Sequence, residues 1–200
     1  MKYDEQIYRP PKEYNSLLLQ VTNGCTHNSC KFCGMYRYTE FGMESLKQIE
    51  SDVIEASQHP YYKNSKRVFL LNGNPFVLDA DRLVKISEII HKHIPSVEVI
   101  ATYASIKDIE RKSDEDLRRI KEAGISDLYI GVESGNQKAL EFINKGNTVD
   151  EAVREMKRLD KYGYYYYAMV LTGLMGEGVD KAIENGMLTG KMLSKVNCRA

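Results

Sequence analysis

A cysteine-rich stretch early in the chain decides how the rest is interpreted, and it reads Asn23-Gly24-Cys25-Thr26-His27-Asn28-Ser29-Cys30-Lys31-Phe32-Cys33-Gly34-Met35-Tyr36. Three of the protein's four cysteines lie in it, with the spacing Cys-x4-Cys-x2-Cys, directly after the mostly apolar run from Leu17 to Val21. A short apolar run bounded by turn residues is typical of a buried strand. The sequence therefore predicts a strand that delivers three thiols to one end of the fold.

The three clustered cysteines are candidates for metal ligands rather than for disulfides. The only other cysteine is Cys198, so at most one pair could form and two thiols would be left over. Structural zinc needs four ligands, which Cys25, Cys30 and Cys33 could supply together with His27 or Cys198. An iron–sulfur cubane held by three thiolates instead keeps one iron open to a further ligand. The spacing fits either metal, and His27 could equally be a polar residue of a wet loop.

The composition is that of an ordinary globular protein without net charge. Of 200 residues, 42% are apolar and 28% are charged, and 28 Lys and Arg balance 28 Asp and Glu. A neutral chain has no field that gathers nucleic acid or anionic lipid, so neither is expected as a partner. No apolar run is long enough to span a membrane, and the first residues lack the hydrophobic segment of a signal peptide. We expect one domain in the cytoplasm, where thiols stay reduced.

Short apolar runs recur along the chain and alternate with helical patterns. Strands are predicted at residues 17–22, 67–71, 97–103, 127–133 and 164–171, and a last helix over about 179–195. The other predicted helices have apolar stripes, which are Leu46, Ile49, Val53 and Ile54, then Leu83, Ile86, Ile89 and Ile90, then Leu117 and Ile120, then Val153, Met156 and Leu159. Their expected N-terminal caps are Asp79 or Asp81, Ser113 with Asp116, and Thr148 with Glu151.

This alternation predicts an α/β fold, a partial (β/α) barrel of the TIM type with about five βα units. A dinucleotide-binding Rossmann fold is not expected, because no Gly-x-Gly-x-x-Gly follows the first strand. Chemistry in such barrels sits at the carboxyl ends of the strands. The polar and glycine residues expected there, beside the cysteine loop, are Asn72, Gly73, Asn74, Tyr103, Ser105, Glu133, Ser134, Thr172 and Gly173.

Several of these segments together resemble one family. The cysteine loop has Phe32 before its last cysteine and Gly34-Met35-Tyr36 after it, the fourth predicted strand leads into Gly131-Val132-Glu133-Ser134-Gly135-Asn136, and a glycine-rich run occupies residues 172–178. In order and placement, over residues 17–178, they resemble the radical S-adenosylmethionine (radical SAM) superfamily. The similar branch contains oxygen-independent coproporphyrinogen oxidase-like, methylthiotransferase-like and elongator-like proteins. That superfamily more often has the spacing Cys-x3-Cys-x2-Cys, one residue shorter than here.

The resemblance implies two cofactors, a [4Fe–4S] cluster and S-adenosylmethionine. Cys25, Cys30 and Cys33 would ligate the cluster, and the open iron would be chelated by the amino and carboxylate groups of S-adenosylmethionine. The implied contacts of S-adenosylmethionine are Phe32 beside the adenine, the backbone of Asn72, Gly73 and Asn74 at the amino group, Lys145 at the carboxylate, and Tyr103, Ser105 and Glu133. Met169 stands where this branch can carry an acidic residue on the fifth strand.

Elementary chemistry bears on several of these residues. Gly73 has no side chain to keep its backbone away from a ligand. Glu133, at the end of an apolar strand, needs a ligand, a cation or backbone donors, since an unpaired buried acid is costly. Taken alone, Asn72 to Pro75 is an ordinary turn and Lys145 a solvated surface lysine.

The implied function is that of an enzyme, an oxidoreductase that takes an electron from a donor such as a flavodoxin or ferredoxin. S-adenosylmethionine would be cleaved reductively to a 5′-deoxyadenosyl radical, which abstracts hydrogen from a substrate that the sequence does not identify. The competing hypothesis is a non-catalytic, zinc-stabilised binding domain that uses Cys25, Cys30, Cys33 and either His27 or Cys198.

The remaining expectations concern the two ends of the chain. Residues 1–16 are expected to form an irregular lead-in across the bottom or side of the fold, and residues 17–200 to form the radical SAM core domain. No sixth strand is predicted after Val179, so we expect either a fragment or a barrel edge that something else completes. The run from Tyr164 to Tyr167 is expected to pack the sheet against helices rather than to stack on a substrate.

Overall fold

The computed structural model describes Met1, Tyr3 and residues 6–199. In chain order its strands are β1 (Leu17–Gln20), β2 (Thr22–Asn23), β3 (Gly42–Met43), β4 (Arg67–Leu71), β5 (Val99–Ala104), β6 (Ile125–Glu133) and β7 (Tyr165–Val170). Five of them form one parallel sheet in the order β1-β4-β5-β6-β7. Each strand of this sheet lies beside the one that precedes it, as in a singly wound barrel and unlike a doubly wound Rossmann sheet. The predicted first strand divides, because β2 leaves the sheet and pairs antiparallel with β3.

Helices follow the strands as predicted. They are α1 (Leu46–Gln58), α2 (Ala80–His93), α3 (Ile106–Glu110), α4 (Asp114–Glu122), α5 (Gln137–Phe142), α6 (Val149–Lys161) and α7 (Val179–Leu193). Asp79 caps α2, and the capping boxes of α4 and α6 are formed by Ser113 with Asp116 and by Thr148 with Glu151. The sequence patterns missed the short helices α3 and α5, and α3 has its own capping box of Ser105 with Asp108.

Side chains alternate between two faces of the sheet, as the period of a strand requires. The outer face packs against the helices through residues such as Leu17, Leu19, Val68 and Leu70. The expected helical stripes lie in this layer, except that Ile54 is 37% exposed, because it lies beyond the edge of the stripe formed by Ile49 and Val53. The inner face has a smaller cluster of its own, made of Leu18, Phe69, Leu71, Ala101 and Tyr129 with Tyr103 and Tyr167 packed against it.

The tyrosine run divides between these faces. Tyr164 and Tyr166 are buried in the outer layer, where their hydroxyls donate to the carbonyl of Leu117 and to the carboxylate of Asp160. The predicted packing of sheet against helix is confirmed for these two. Tyr167 instead stacks on Tyr129 inside the barrel, with 4.8 Å between ring centroids.

The lead-in is tied to the amino-terminal end of the sheet by a buried carboxylate. A single turn of 3-10 helix, Pro11–Glu13, places Glu13 where its side chain is fully buried. Its oxygens accept hydrogen bonds from Arg67 (Nη2, 2.6 Å), the hydroxyl of Tyr129 (2.6 Å) and that of Ser16 (2.5 Å). Burial alone would raise the pKa of the Glu13 carboxyl, but these hydrogen bonds outweigh it and hold that pKa below its ordinary value. The lead-in therefore covers one end of the inner face of the sheet and is held there by these hydrogen bonds.

The other edge of the sheet is marked by Arg199. Its amide donates to the carbonyl of Tyr166 at 2.8 Å and its carbonyl accepts from the amide of Ala168 at 3.0 Å, which makes one parallel bridge on the outer edge of β7. Within residues 6–199 this bridge, rather than a sixth strand, follows β7. No helix in the described part of the chain has the length and apolar character needed to cross a bilayer.

Candidate functional site

The loops at the carboxyl ends of the strands surround an open cavity of about 460 Å³. This volume lies in the range of small-molecule sites. The predicted site residues that line it are Cys25, Cys30, Phe32, Cys33, Gly73, Asn74, Tyr103, Ser105, Glu133 and Lys145. These residues lie at or beyond the carboxyl ends of the first four strands of the sheet, and Met169, Val170 and Leu171 at the end of β7 also line the cavity. All five strand ends therefore contribute to its wall.

The cysteine loop packs directly on the turn after β4. A Cβ atom built on Gly73 would lie 1.8 Å from the carbonyl oxygen of Gly24 and 2.9 Å from the Cα of Cys25. Gly24 itself has φ +66°, a left-handed conformation that favours glycine. The missing side chain of Gly73 therefore leaves room for the cysteine loop, while close approach of its backbone to a ligand in the cavity stays a prediction.

Replacing Gly73 with alanine is therefore expected to displace the cysteine loop. Backbone atoms cannot swing aside as side chains do, so we expect a loss of about 1–3 kcal/mol in the free energy of unfolding, typical of overpacking. Denaturant titration measures it. Gly34→Ala is the matched control, because a Cβ at Gly34 meets no atom of the described residues within 4 Å. Equal unfolding midpoints for the two variants would contradict this packing argument.

Asn74 joins the cysteine loop to the start of α3. Its Nδ2 donates to the hydroxyl oxygen of Thr26 and to Asp108 Oδ2, both at 2.8 Å. The same Asp108 oxygen accepts from the amide of Ser105 at 2.9 Å and from its hydroxyl at 2.7 Å. Asn74 and Ser105 thus hold the wall in place through their side chains.

Asn72 is placed differently from its neighbours. Its side chain is buried, its Nδ2 donates to the carbonyl of Thr22 at 3.2 Å, and it is not among the residues that line the cavity. Its backbone has φ +71°, a left-handed conformation that asparagine tolerates better than most residues. Asn72 therefore shapes the turn from beneath, while a backbone contact to a cofactor stays a prediction.

Glu133 and Lys145 form an ion pair in the cavity wall. Lys145 Nζ lies 2.8 Å from Glu133 Oε1, and the two side chains are only 11% and 10% exposed. Glu133 has φ +66° at an irregularity in the pairing of β6 with β7, a device that re-aims a side chain near a site. Gly131 leaves room for the pair, since a Cβ there would lie 2.6 Å from Glu133 Oε1. The cation that the buried acid requires is Lys145.

Three thiols share this environment. Burial raises the pKa of the Cys30 thiol, Cys25, Cys33 and Glu133 raise it further, and the ammonium of Lys145 opposes the rise. Cys25, Cys30 and Cys33 all line the same cavity. Metal binding has to remove the proton that burial favours. A donor set of three thiols, with no fourth ligand beside them among the described residues, suits a cluster with one open iron.

The zinc alternative finds no support in the same geometry. His27 Nε2 is engaged 2.7 Å from the carbonyl oxygen of Asn144, and Cys198 packs against the outer core and does not line the cavity. Among the residues with described positions, no three His, Cys, Asp or Glu side chains converge as ligands of one metal ion. Each thiolate of a cubane binds a different iron atom, so this finding bears on a mononuclear zinc site rather than on a cluster.

The family is decided by sequence comparison. Residues 19–185 match the Radical SAM superfamily. The chain belongs to that superfamily. Its members are enzymes, so the predicted enzyme class and the predicted family are both confirmed.

Curated relatives of this radical SAM chain are distant and longer. An uncharacterized methyltransferase of Pyrococcus horikoshii is 24% identical over 160 residues, which cover 80% of this chain and 33% of the relative. The heme chaperone HemW of Bacillus subtilis is 23% identical over 173 residues, which cover 84% of this chain and 45% of the relative. The chain thus spans less than half the length of both.

Solved structures confirm the fold. The cobalamin-dependent radical enzyme OxsB, with aqua-cobalamin and S-adenosylmethionine bound, matches with a TM-score of 0.68 and 19% identity, over 88% of this chain and 27% of that one. The Escherichia coli coproporphyrinogen III oxidase HemN matches with a TM-score of 0.66 and 14% identity, over 92% of this chain and 42% of that one. The methyltransferase TsrM of Kitasatospora setae was solved with a [4Fe–4S] cluster and cobalamin bound. The expected cofactors are therefore those of the family.

The cavity wall also contains residues that sequence patterns did not single out. Tyr8 comes from the lead-in, which has no periodic pattern, and Arg111 follows α3. The box Ser105-x-x-Asp108 that starts α3 has the same form as the two boxes that were predicted, so this signal was available in the sequence. No comparable local signal marks Tyr8.

Proposed function

We propose that this chain holds a [4Fe–4S] cluster through Cys25, Cys30 and Cys33 and binds S-adenosylmethionine in the adjoining cavity as a hydrogen-abstracting radical enzyme. The observation that carries the proposal is that the three thiols and the Glu133–Lys145 pair line the same cavity. The chemistry that the two cofactors supply when bound is one-electron cleavage of the sulfonium and hydrogen abstraction by the resulting 5′-deoxyadenosyl radical.

The Glu133–Lys145 pair is complementary to the amino-acid end of S-adenosylmethionine. An α-amino acid carries an ammonium and a carboxylate on neighbouring atoms, and the pair offers one acceptor and one cation 2.8 Å apart. Exchanging an internal ion pair for two ligand contacts keeps every buried charge partnered, which is what a poorly hydrated site requires. Lys145 then binds the ligand carboxylate, and Glu133 accepts a hydrogen bond from an N–H of its amino group.

Aromatic side chains flank this polar centre. Phe32, next to the last cysteine, is 44% exposed at the cavity wall and offers a flat apolar surface for the adenine. Burial raises the pKa of Tyr103 to about 12, so its phenol keeps its proton and remains a hydrogen-bond donor to a bound ligand at neutral pH. The thiols are partly exposed, so a flavodoxin or ferredoxin can deliver electrons at short range.

Anaerobic reconstitution with iron and sulfide tests the proposal. We expect a brown protein containing iron and sulfide in equal amounts, and a reduced-cluster electron paramagnetic resonance spectrum that changes when S-adenosylmethionine is added. A colourless protein with one tightly bound zinc ion per chain would refute the proposal in favour of the zinc domain. Lys145→Met should keep the cluster while weakening the spectral response to S-adenosylmethionine, and Lys138→Met, an exposed lysine, is its control.

A further inference from the structure

The segment between Cys25 and Cys30 is one residue longer than the usual spacing of the superfamily, and hydrogen bonds join it to the loop that carries Lys145. His27 Nε2 lies 2.7 Å from the carbonyl oxygen of Asn144, and the Asn144 side chain donates back to the carbonyl of Ser29 at 3.1 Å. The amide of Lys31 donates to the carbonyl of Ile143 at 2.9 Å. We call these contacts, between residues 27–31 and 143–146, the clasp. They join segments more than 110 residues apart, His27 and Asn144 being separated by 117.

The backbone on both sides of the clasp is shaped to make it. Asn28 has φ +37° and Asn144 has φ +55°, and both belong to the residue type that best tolerates this region after glycine. Gly146 has φ +83°, and a Cβ there would lie 2.8 Å from Cε1 of the His27 ring. The imidazole therefore rests on a glycine that cannot be enlarged without moving it. A carbonyl only accepts hydrogen bonds, so Nε2 of His27 carries the proton.

Residues of the clasp flank Cys30 and Lys145, which are two residues that the proposed function uses. Cys30 lies between Ser29 and Lys31, and Lys145 lies between Asn144 and Gly146, so each functional residue is flanked by clasp residues on its own segment. Lys145 and Cys30 also line the same cavity. A ligand that fixes Lys145 consequently restrains the segment against which the cysteine loop is bound.

We propose that His27 is a positioning residue that couples ligand binding at Lys145 to ordering of the cysteine loop. The inference rests on the proposed function, because it takes Lys145 as the group that binds the ligand carboxylate. Coupling of this kind is reciprocal. Ligand binding in the cavity favours the ordered cysteine loop by a certain factor, and the intact clasp raises the affinity for the ligand by the same factor.

The test uses the full chain without a cluster and S-adenosylhomocysteine, which has the same amino-acid and adenosine groups but no sulfonium to cleave. In the natural sequence, the analogue is expected to slow hydrogen–deuterium exchange of the amides in residues 25–33. In His27→Ala, this protection should be lost and the dissociation constant should rise about two- to tenfold, the effect of one hydrogen bond. His27→Gln keeps an N–H donor on a side chain of similar reach and should restore much of both.

Controls separate coupling from a general loss of structure. His59→Ala replaces a histidine at the end of α1, outside the cavity wall, and should change neither readout. In a Lys145→Met background, His27→Ala should cost little further affinity, since the group that it positions is gone. Equal affinity and equal loop protection in the natural sequence and in His27→Ala would overturn the coupling and leave the proposed function standing. Failure of the natural sequence to bind the analogue would also overturn the coupling, whereas the proposed function is overturned only by the reconstitution experiment.

Discussion

Cys30→Ala is expected to abolish retention of the cluster. Cys30 is the middle ligand of the three, and a cubane that loses one of three thiolates keeps only two protein bonds. We expect iron and sulfide content after anaerobic reconstitution and desalting to fall to background, with loss of the brown colour. The free energy of unfolding of the cluster-free chain should change little, because the thiol is only partly buried.

The matched control is Cys198→Ala. Cys198 packs beside the outer core and does not line the cavity, so it does not have the location of a cluster ligand. This variant should retain iron and sulfide at the level of the natural sequence. His27→Ala should also retain them. Loss of metal in Cys30→Ala and His27→Ala alike would favour the zinc domain over the cluster.

Glu13→Ala is expected to cause a large loss in the free energy of unfolding. The buried carboxylate has three donors, and its removal leaves the hydroxyl of Tyr129 and part of the Arg67 guanidinium without partners. Removing one member of a buried ion pair costs about 3–5 kcal/mol. We expect about 3 kcal/mol, because Arg67 keeps its second partner, Asp127, at 2.8 Å. Denaturant unfolding measures the change.

The control and the pH dependence both follow from the environment of Glu13. Glu98 pairs with Lys66 at 2.6 Å, but both side chains are about two-thirds exposed, so Glu98→Ala should cost at most about 1 kcal/mol. The lowered pKa of Glu13 means that its contribution is present above the pKa of the unfolded chain and is lost as the pH falls through the folded pKa. The difference between the natural sequence and Glu13→Ala should therefore shrink on acidification, and a difference independent of pH would contradict the role assigned to the carboxylate.

Sequence patterns predicted the features that depend on residues close together in the chain, namely helix caps and strands. The boxes of Ser113 with Asp116 and of Thr148 with Glu151 form as expected, because a cap and its partner are three residues apart. The apolar runs placed the five strands of the sheet, and their alternation with helices was enough to order them. Cys25, Cys30, Cys33, Glu133 and Lys145 converge for the same reason, since each follows a parallel strand or its helix.

Contacts between distant segments were not available from such patterns. Gly73 meets Gly24 because two turns touch, Glu13 meets Tyr129 across 116 residues, and His27 meets Asn144 across 117. In each contact, the residues next to one partner in the sequence do not indicate which residue the other partner is. Neither the contact of Gly73 with Gly24 nor the fully buried acid Glu13 in the lead-in was predicted.

The separation of Glu13 from its partners also bears on how the chain folds during synthesis. When Glu13 emerges from a ribosome, Arg67 has yet to be translated, and Tyr129 follows only after two further strands of the sheet. Closure of the inner face is therefore among the late events of folding, since contacts so far apart in sequence pay a large loop-closure entropy before they form. Nascent chains that end before β6 would keep this carboxylate hydrated, with the apolar inner face open to chaperones.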